Sequence, residues 1–212
     1  MTKLDGSLSI DGELTPLMKL FLKRRSVRKY APGSVSADQL LQIKQAAEGF
    51  QRRLGIEETF FRILGPEDGA DQVRRAAMRG VIGKINPWLA NTQAKHLMIC
   101  GARYEAEHRN ETVAARLERE KNIKLASMTM QIAILAATQQ GLGTCWLAGI
   151  HHQAIEDAYA FPKGVHLIAI SPLGIAVTRL GLSWDTMMLH LLSKRRKPLE
   201  SLWMKENWRD QP

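Results

Sequence analysis

The chain has 212 residues, 45% of them hydrophobic, which is enough to bury the core of a single ordinary domain spanning 1–212. A formal charge of +9 and a pI near 9.8 call for anionic partners, with nucleic acid, a membrane surface and phosphorylated small molecules all eligible. The only cysteines, Cys100 and Cys145, are spaced for neither a disulfide framework nor a zinc clip and suit a reducing compartment, the cytoplasm; the charged N-terminus and the interrupted apolar run Met128 to Ala137 argue against a secretion signal or a membrane span.

In chain order, Pro16 opens a short apolar run, Leu17 to Leu22, that predicts one or two helical turns. It leads into Lys23-Arg24-Arg25-Ser26-Val27-Arg28-Lys29-Tyr30, where five cations and a hydroxyl within eight residues make a candidate anion site. Such a cluster also reads as a solvated basic turn, and what favours binding is the second cluster at Lys194-Arg195-Arg196-Lys197-Pro198. Ser36 and Gln39 predict a capping box opening a helix from Ala37 to about Phe50. Thr59 to Leu64 is aromatic and β-branched and stops at Gly65-Pro66, the pattern of a strand.

Asp68 to Arg79 predicts a helix with a basic outer face, Gly80, Gly83 and Pro87 break the backbone, and His96 to Cys100 predicts a second strand. Glu105 to Glu120 is charged at helical spacing, while Leu125 to Gln140 is apolar nearly all round, as in a buried helix. Gly141 stands where a left-handed cap would end it, and Gly143 allows a tight turn into Thr144-Cys145-Trp146-Leu147-Ala148-Gly149. Gln153 to Tyr159 predicts a short helix, Val165 to Ser171 a strand and Pro198 to Lys205 a last helix.

Three patterns, in this order along the chain, resemble the flavin-dependent nitroreductase family: Arg24, Arg25, Ser26 and Arg28; the Gly-Leu-Gly-Thr-Cys-Trp run at 141–146; and Lys194, Arg196 and Pro198. The resemblance implies an α+β domain with a mainly antiparallel central sheet of four or five strands flanked by helices, dimeric, and an FMN-dependent oxidoreductase. It assigns the FMN phosphate to Arg24, Ser26, Lys194 and Arg196, the ribityl chain to Arg25, and the N1 and O2 edge of the ring to Arg28, where a cation would stabilise the charge of the reduced flavin. Trp146, Leu147, Ala148 and Gly149 match the loop along the flavin, with a backbone N–H of Ala148 or Gly149 offered to N5. NADPH or NADH would deliver hydride in ping-pong fashion, nitroaromatics or quinones would accept it, and no catalytic side chain or metal is required. The helix Leu125 to Gln140 would be the dimer core.

The departures from the family matter too. A P-S-x-x-N-x-Q-P loop, whose Asn contacts the flavin, is replaced by Ala47 to Arg53; Asn91 and Gln93 repeat its spacing in the wrong part of the chain; and the frequent acidic residue of the flavin-facing loop is Ala148. These changes keep open a non-catalytic flavin-storing or redox-sensing protein, and the charge keeps open a nucleic-acid binder. Cys145 reads as a small buried thiol, His151-His152 as no metal pair, Trp88, Trp146 and Trp184 as packing residues, and Arg74, Arg75, Arg79 and Lys84 as a solvated face.

Overall fold

The computed structural model describes residues 14–80, 86–105 and 112–177. The chain divides into two compact units, Met1–Ala176 and Val177–Pro212, and every element below belongs to the first. Lys194, Arg196, Trp184 and the expected helix at Pro198 to Lys205 lie outside the described residues.

Helix α1 (Pro16–Lys23) starts where the Thr15 hydroxyl accepts the Met18 N–H at 3.3 Å, with proline in the first turn, where its missing N–H has no helical partner to lose. Helix α2 (Ala37–Arg53) opens on the expected capping box: Gln39 N–H donates to Ser36 Oγ at 3.2 Å, and Ser36 N–H to Gln39 Oε1 at 3.1 Å. Strand β1 (Thr59–Leu64), helix α3 (Ala70–Ala77), a 3-10 turn at Pro87–Asn91 and strand β2 (His96–Arg103) follow. Helix α4 (Val113–Gln139), strand β3 (Leu142–Thr144), helix α5 (His152–Tyr159) and strand β4 (Val165–Ile175) complete the described elements.

The sheet has four strands in the order β1-β2-β4-β3, every pair antiparallel. Because side chains alternate across a strand, buried β2 serves two cores at once. Leu97 and Ile99 pack with Val73, Ala76 and Ala77 of α3 and Ala154 and Ile155 of α5, while Met98 and Cys100 pack with Ile43 and Ala47 of α2 and Met130, Ala133 and Ile134 of α4. The fold is the expected α+β arrangement, helices on both faces of an antiparallel sheet. No helix among the described residues is long and apolar enough to cross a membrane.

Three local expectations change. The charged and apolar stretches expected as separate segments form the single helix α4, since nothing between Glu120 and Leu125 breaks a helix. Its apolar face is buried in the chain's own core through Ala126, Met130, Ala133, Ile134 and Ala137, whereas Met128 and Gln131 are exposed, so the stretch Leu125 to Gln140 is a core helix of this chain first. Leu142–Thr144, read as a turn, is a strand pairing Gly143 with Gly174, and it draws β4 past Pro172 to Ile175.

Candidate functional site

The cationic stretch is fixed to the sheet by its main chain. After α1 ends at Arg24, which is extended, Ser26 forms a parallel bridge with Thr144, and the Val27 N–H donates to the Thr144 carbonyl at 2.7 Å. Tyr30 bridges Ala176, and the Ala31 N–H donates to Ile175 O at 2.9 Å. The buried Tyr30 hydroxyl turns back to donate to Val27 O at 2.8 Å, and Val27, Tyr30 and Ala94 form a small apolar cluster beneath the cations. Gly143 is what permits this approach, because a Cβ there would stand 2.9 Å from Val27 Cγ1.

Beyond β3 the chain crosses onto β4. The Cys145 N–H donates to the buried Ser171 hydroxyl at 3.1 Å, and Leu147 exchanges both main-chain bonds with Ile170, at 2.9 and 3.0 Å. Leu147 is buried, Trp146 is half-buried and packs against the α2/α4 core, and Ala148 and Gly149 are exposed. Asn86 Nδ2 donates to Gly149 O at 3.2 Å, and the His151 N–H donates to Ala77 O at 3.3 Å, tying the loop's far end to α3. His151 Nδ1 accepts the Ala154 N–H as the cap of α5.

The two segments meet at Cys145. Burial pushes its thiol above the ordinary value, and Arg28, a hydrogen bond with Ser26 and Arg24 pull it partly back. Three of the expected binding residues, Arg24, Ser26 and Arg28, lie on the segment whose main chain docks on Thr144 at the end of β3. Arg24 and Arg28 are half-buried and Ser26 is exposed, so two guanidiniums and a hydroxyl are available to an anion arriving from solvent. Arg25 is exposed, and Lys194 and Arg196 lie outside the described residues. Cys145 has the role expected of it, a buried free thiol, and Trp88 packs between the α3/α5 core and the cluster under the cations.

Sequence reasoning missed the braces of this site: Thr144, Ser171, Asn86, Tyr30 and His152. Their contribution is a few hydrogen bonds, within a loop or between positions far apart in the chain, and no short motif encodes that. Gly143 was singled out as a turn former, and its actual role is the close passage of Val27.

The sequence model of the Nitroreductase family matches residues 21–175, and the chain belongs to that family. Solved structures with the same fold include an FMN-dependent nitroreductase from Clostridium difficile R20291, at 21% identity over 86% of this chain and 99% of that one, with a TM-score of 0.59. A protein of Desulfovibrio desulfuricans solved in complex with FMN shares 20% identity over 92% of this chain and 98% of its own, with a TM-score of 0.61. A nitroreductase-like family protein from Bacillus cereus reaches a TM-score of 0.64 at 15% identity, over 92% and 97%. No curated protein matches the chain.

Proposed function

We propose that the protein binds FMN and acts as an oxidoreductase that takes hydride from NADPH or NADH and passes it to small electron-poor acceptors such as nitroaromatics and quinones. The observation that carries this reading is the docking of the segment that bears Arg24, Ser26 and Arg28 against Thr144 at the end of β3, immediately before a loop whose tip, Ala148 and Gly149, is small and exposed. The residues present fit the cofactor: a cationic, hydroxyl-bearing cradle for a phosphate stands beside main chain that a flat ring can approach closely. Bound there, FMN supplies the two-electron chemistry through N5.

In this reading Arg24 and Ser26 hold the phosphate and Arg25 follows the ribityl chain; Lys194 and Arg196 lie outside the described residues. Arg28 lies by the N1 and O2 edge, where its charge offsets that of the reduced ring. Trp146, Leu147, Ala148 and Gly149 line the ring, and a loop N–H is offered to N5. A second copy covers α1, which buries none of its residues within the chain and exposes Leu17, Phe21 and Leu22, together with exposed Val113 and Leu117 of α4. That face stands beside Leu125 to Gln140 as a candidate dimer surface.

The visible spectrum tests the reading. Protein incubated with FMN and desalted is expected to keep a flavin band that bleaches on anaerobic addition of NADPH or NADH. A retained band that bleaches with neither favours a flavin carrier, the second reading, which rests on α2 running helical through Ala47 to Arg53 where the family's Asn loop is absent. Loss of the band removes both readings and returns the basic clusters to nucleic acid, tested by binding at varied salt.

A further inference from the structure

The tip of the loop at 145–149 has its carbonyls turned toward the protein. Ala148 O accepts the Ile150 N–H at 3.0 Å and lies 2.9 Å from His152 Nε2, and Gly149 O accepts from Asn86. No peptide bond among the described residues is cis, so the Gly149 N–H points opposite to the Ala148 carbonyl that shares its peptide plane. With that carbonyl held inward, the N–H of exposed Gly149 is aimed outward. The other ring nitrogen, His152 Nδ1, lies 3.0 Å from Leu167 O in β4, so the ring spans from the loop to the central sheet.

We propose that His152 is a positioning residue that orients the Ala148–Gly149 peptide so that the Gly149 N–H faces the ring of a bound flavin; this rests on the FMN reading above. Carbonyl oxygens only accept, so each of the two contacts is a hydrogen bond only when that nitrogen carries a proton. The contact that matters is Nε2–H to Ala148 O, because it sets the peptide plane. The contact to Leu167 O sets the ring and is made together with the first when the imidazole is protonated at both nitrogens. Asn86 supports the same orientation from the other side by holding the next carbonyl.

The test uses FMN-loaded wild type, His152→Ala, His152→Gln and His152→Asn, reading the visible flavin band, the Gly149 amide resonance and turnover. A glutamine amide nitrogen can stand where Nε2 stands, whereas an asparagine amide nitrogen stands where Nδ1 does. His152→Ala and His152→Asn are expected to shift both the flavin band and the Gly149 amide, and to lower kcat on the order of tenfold or more, as misplacement of an oriented group does. FMN retention is expected to persist, because the phosphate is held elsewhere. His152→Gln is expected to restore the band and the amide resonance. A His152→Ala protein with wild-type band and amide overturns the proposal, and so does a His152→Gln protein as altered as His152→Ala, which would mean the ring acts by packing alone. Wild type that retains no FMN overturns the FMN reading and the proposal with it, an outcome visible before any variant is made.

Discussion

The segment at 23–30 and the segment at 145–152 meet at the end of β3 and part from there, the first toward Ala176 and the second toward Leu167, and they are built in different ways. The first carries its chemistry in side chains, Arg24, Ser26 and Arg28, and is held by main chain, through the bridges to Thr144 and Ala176. The second presents main chain at Ala148 and Gly149, and to the main-chain bonds of Leu147 with Ile170 and of His151 with Ala77 it adds side-chain braces from Ser171, Asn86 and His152. A side chain that binds a ligand is best carried on a backbone that is itself locked, and a backbone that binds a ligand needs other side chains to aim it. Substitutions should accordingly separate the two: in the first segment they should alter affinity with position unchanged, and in the second they should alter position.

The largest effect is expected where one residue serves the join between them. Gly143→Val places a branched side chain where even a Cβ would come within 2.9 Å of Val27 Cγ1 and 3.1 Å of Ala176 Cβ. Overpacking of this kind costs about 1–3 kcal/mol, and relief requires the cationic segment to leave β3. Thermal unfolding should show the destabilisation, and FMN retention should be lost as well; retention at the wild-type level would detach the segment's docking from binding.

Arg24→Ala comes next. A charged hydrogen bond contributes about 1.5–3 kcal/mol, so FMN affinity measured by fluorescence titration should fall by one to two orders of magnitude, with the melting temperature nearly unchanged because Arg24 is only half-buried. Arg25→Ala, at an exposed position, should cost less. Equal losses at both would indicate a diffuse attraction of the basic loop for anions in place of a shaped site. In the second segment Ser171→Ala should show the reverse signature. It leaves the buried Cys145 N–H without its acceptor, which costs about 1–3 kcal/mol of stability, while no phosphate contact is lost.

The same contrast explains what could be read from the sequence. Elements that state themselves locally were legible: the Ser36 and Gln39 capping box, the aromatic and β-branched run Thr59 to Leu64 that stops at Gly65-Pro66, and the left-handed Gly141, whose φ is +76°. The cationic segment could be singled out as a candidate because its chemistry is in its residue types. Strand β3 was not, since three residues with a central glycine carry no strand signal and become a strand only by pairing with β4. Nor were the braces of the second segment, because Ser171 lies 26 residues from its partner and Asn86 lies 63 from Gly149, and a hydrogen bond across such separations leaves no periodicity.

Tyr30 is expected to give the smallest effect at neutral pH and the most specific one at alkaline pH. Its hydroxyl braces the first segment through Val27 O, a bond whose loss in Tyr30→Phe costs about 0.5–1.5 kcal/mol. Burial raises its ionisation well above the ordinary 10.0, the Cys145 thiol adds to the rise and Arg28 opposes it. The native state thus keeps a proton that the unfolded chain gives up. Stability is fully present below pH 10.0 as far as this group is concerned, and falls as the pH rises from there toward the higher folded value. Tyr30→Phe should be slightly less stable than wild type in urea at pH 7 and should lose less stability than wild type above pH 10. Parallel pH profiles would assign the alkaline loss to other groups, the buried thiols of Cys145 and of Cys100, itself pushed up to about 12, being the next to replace.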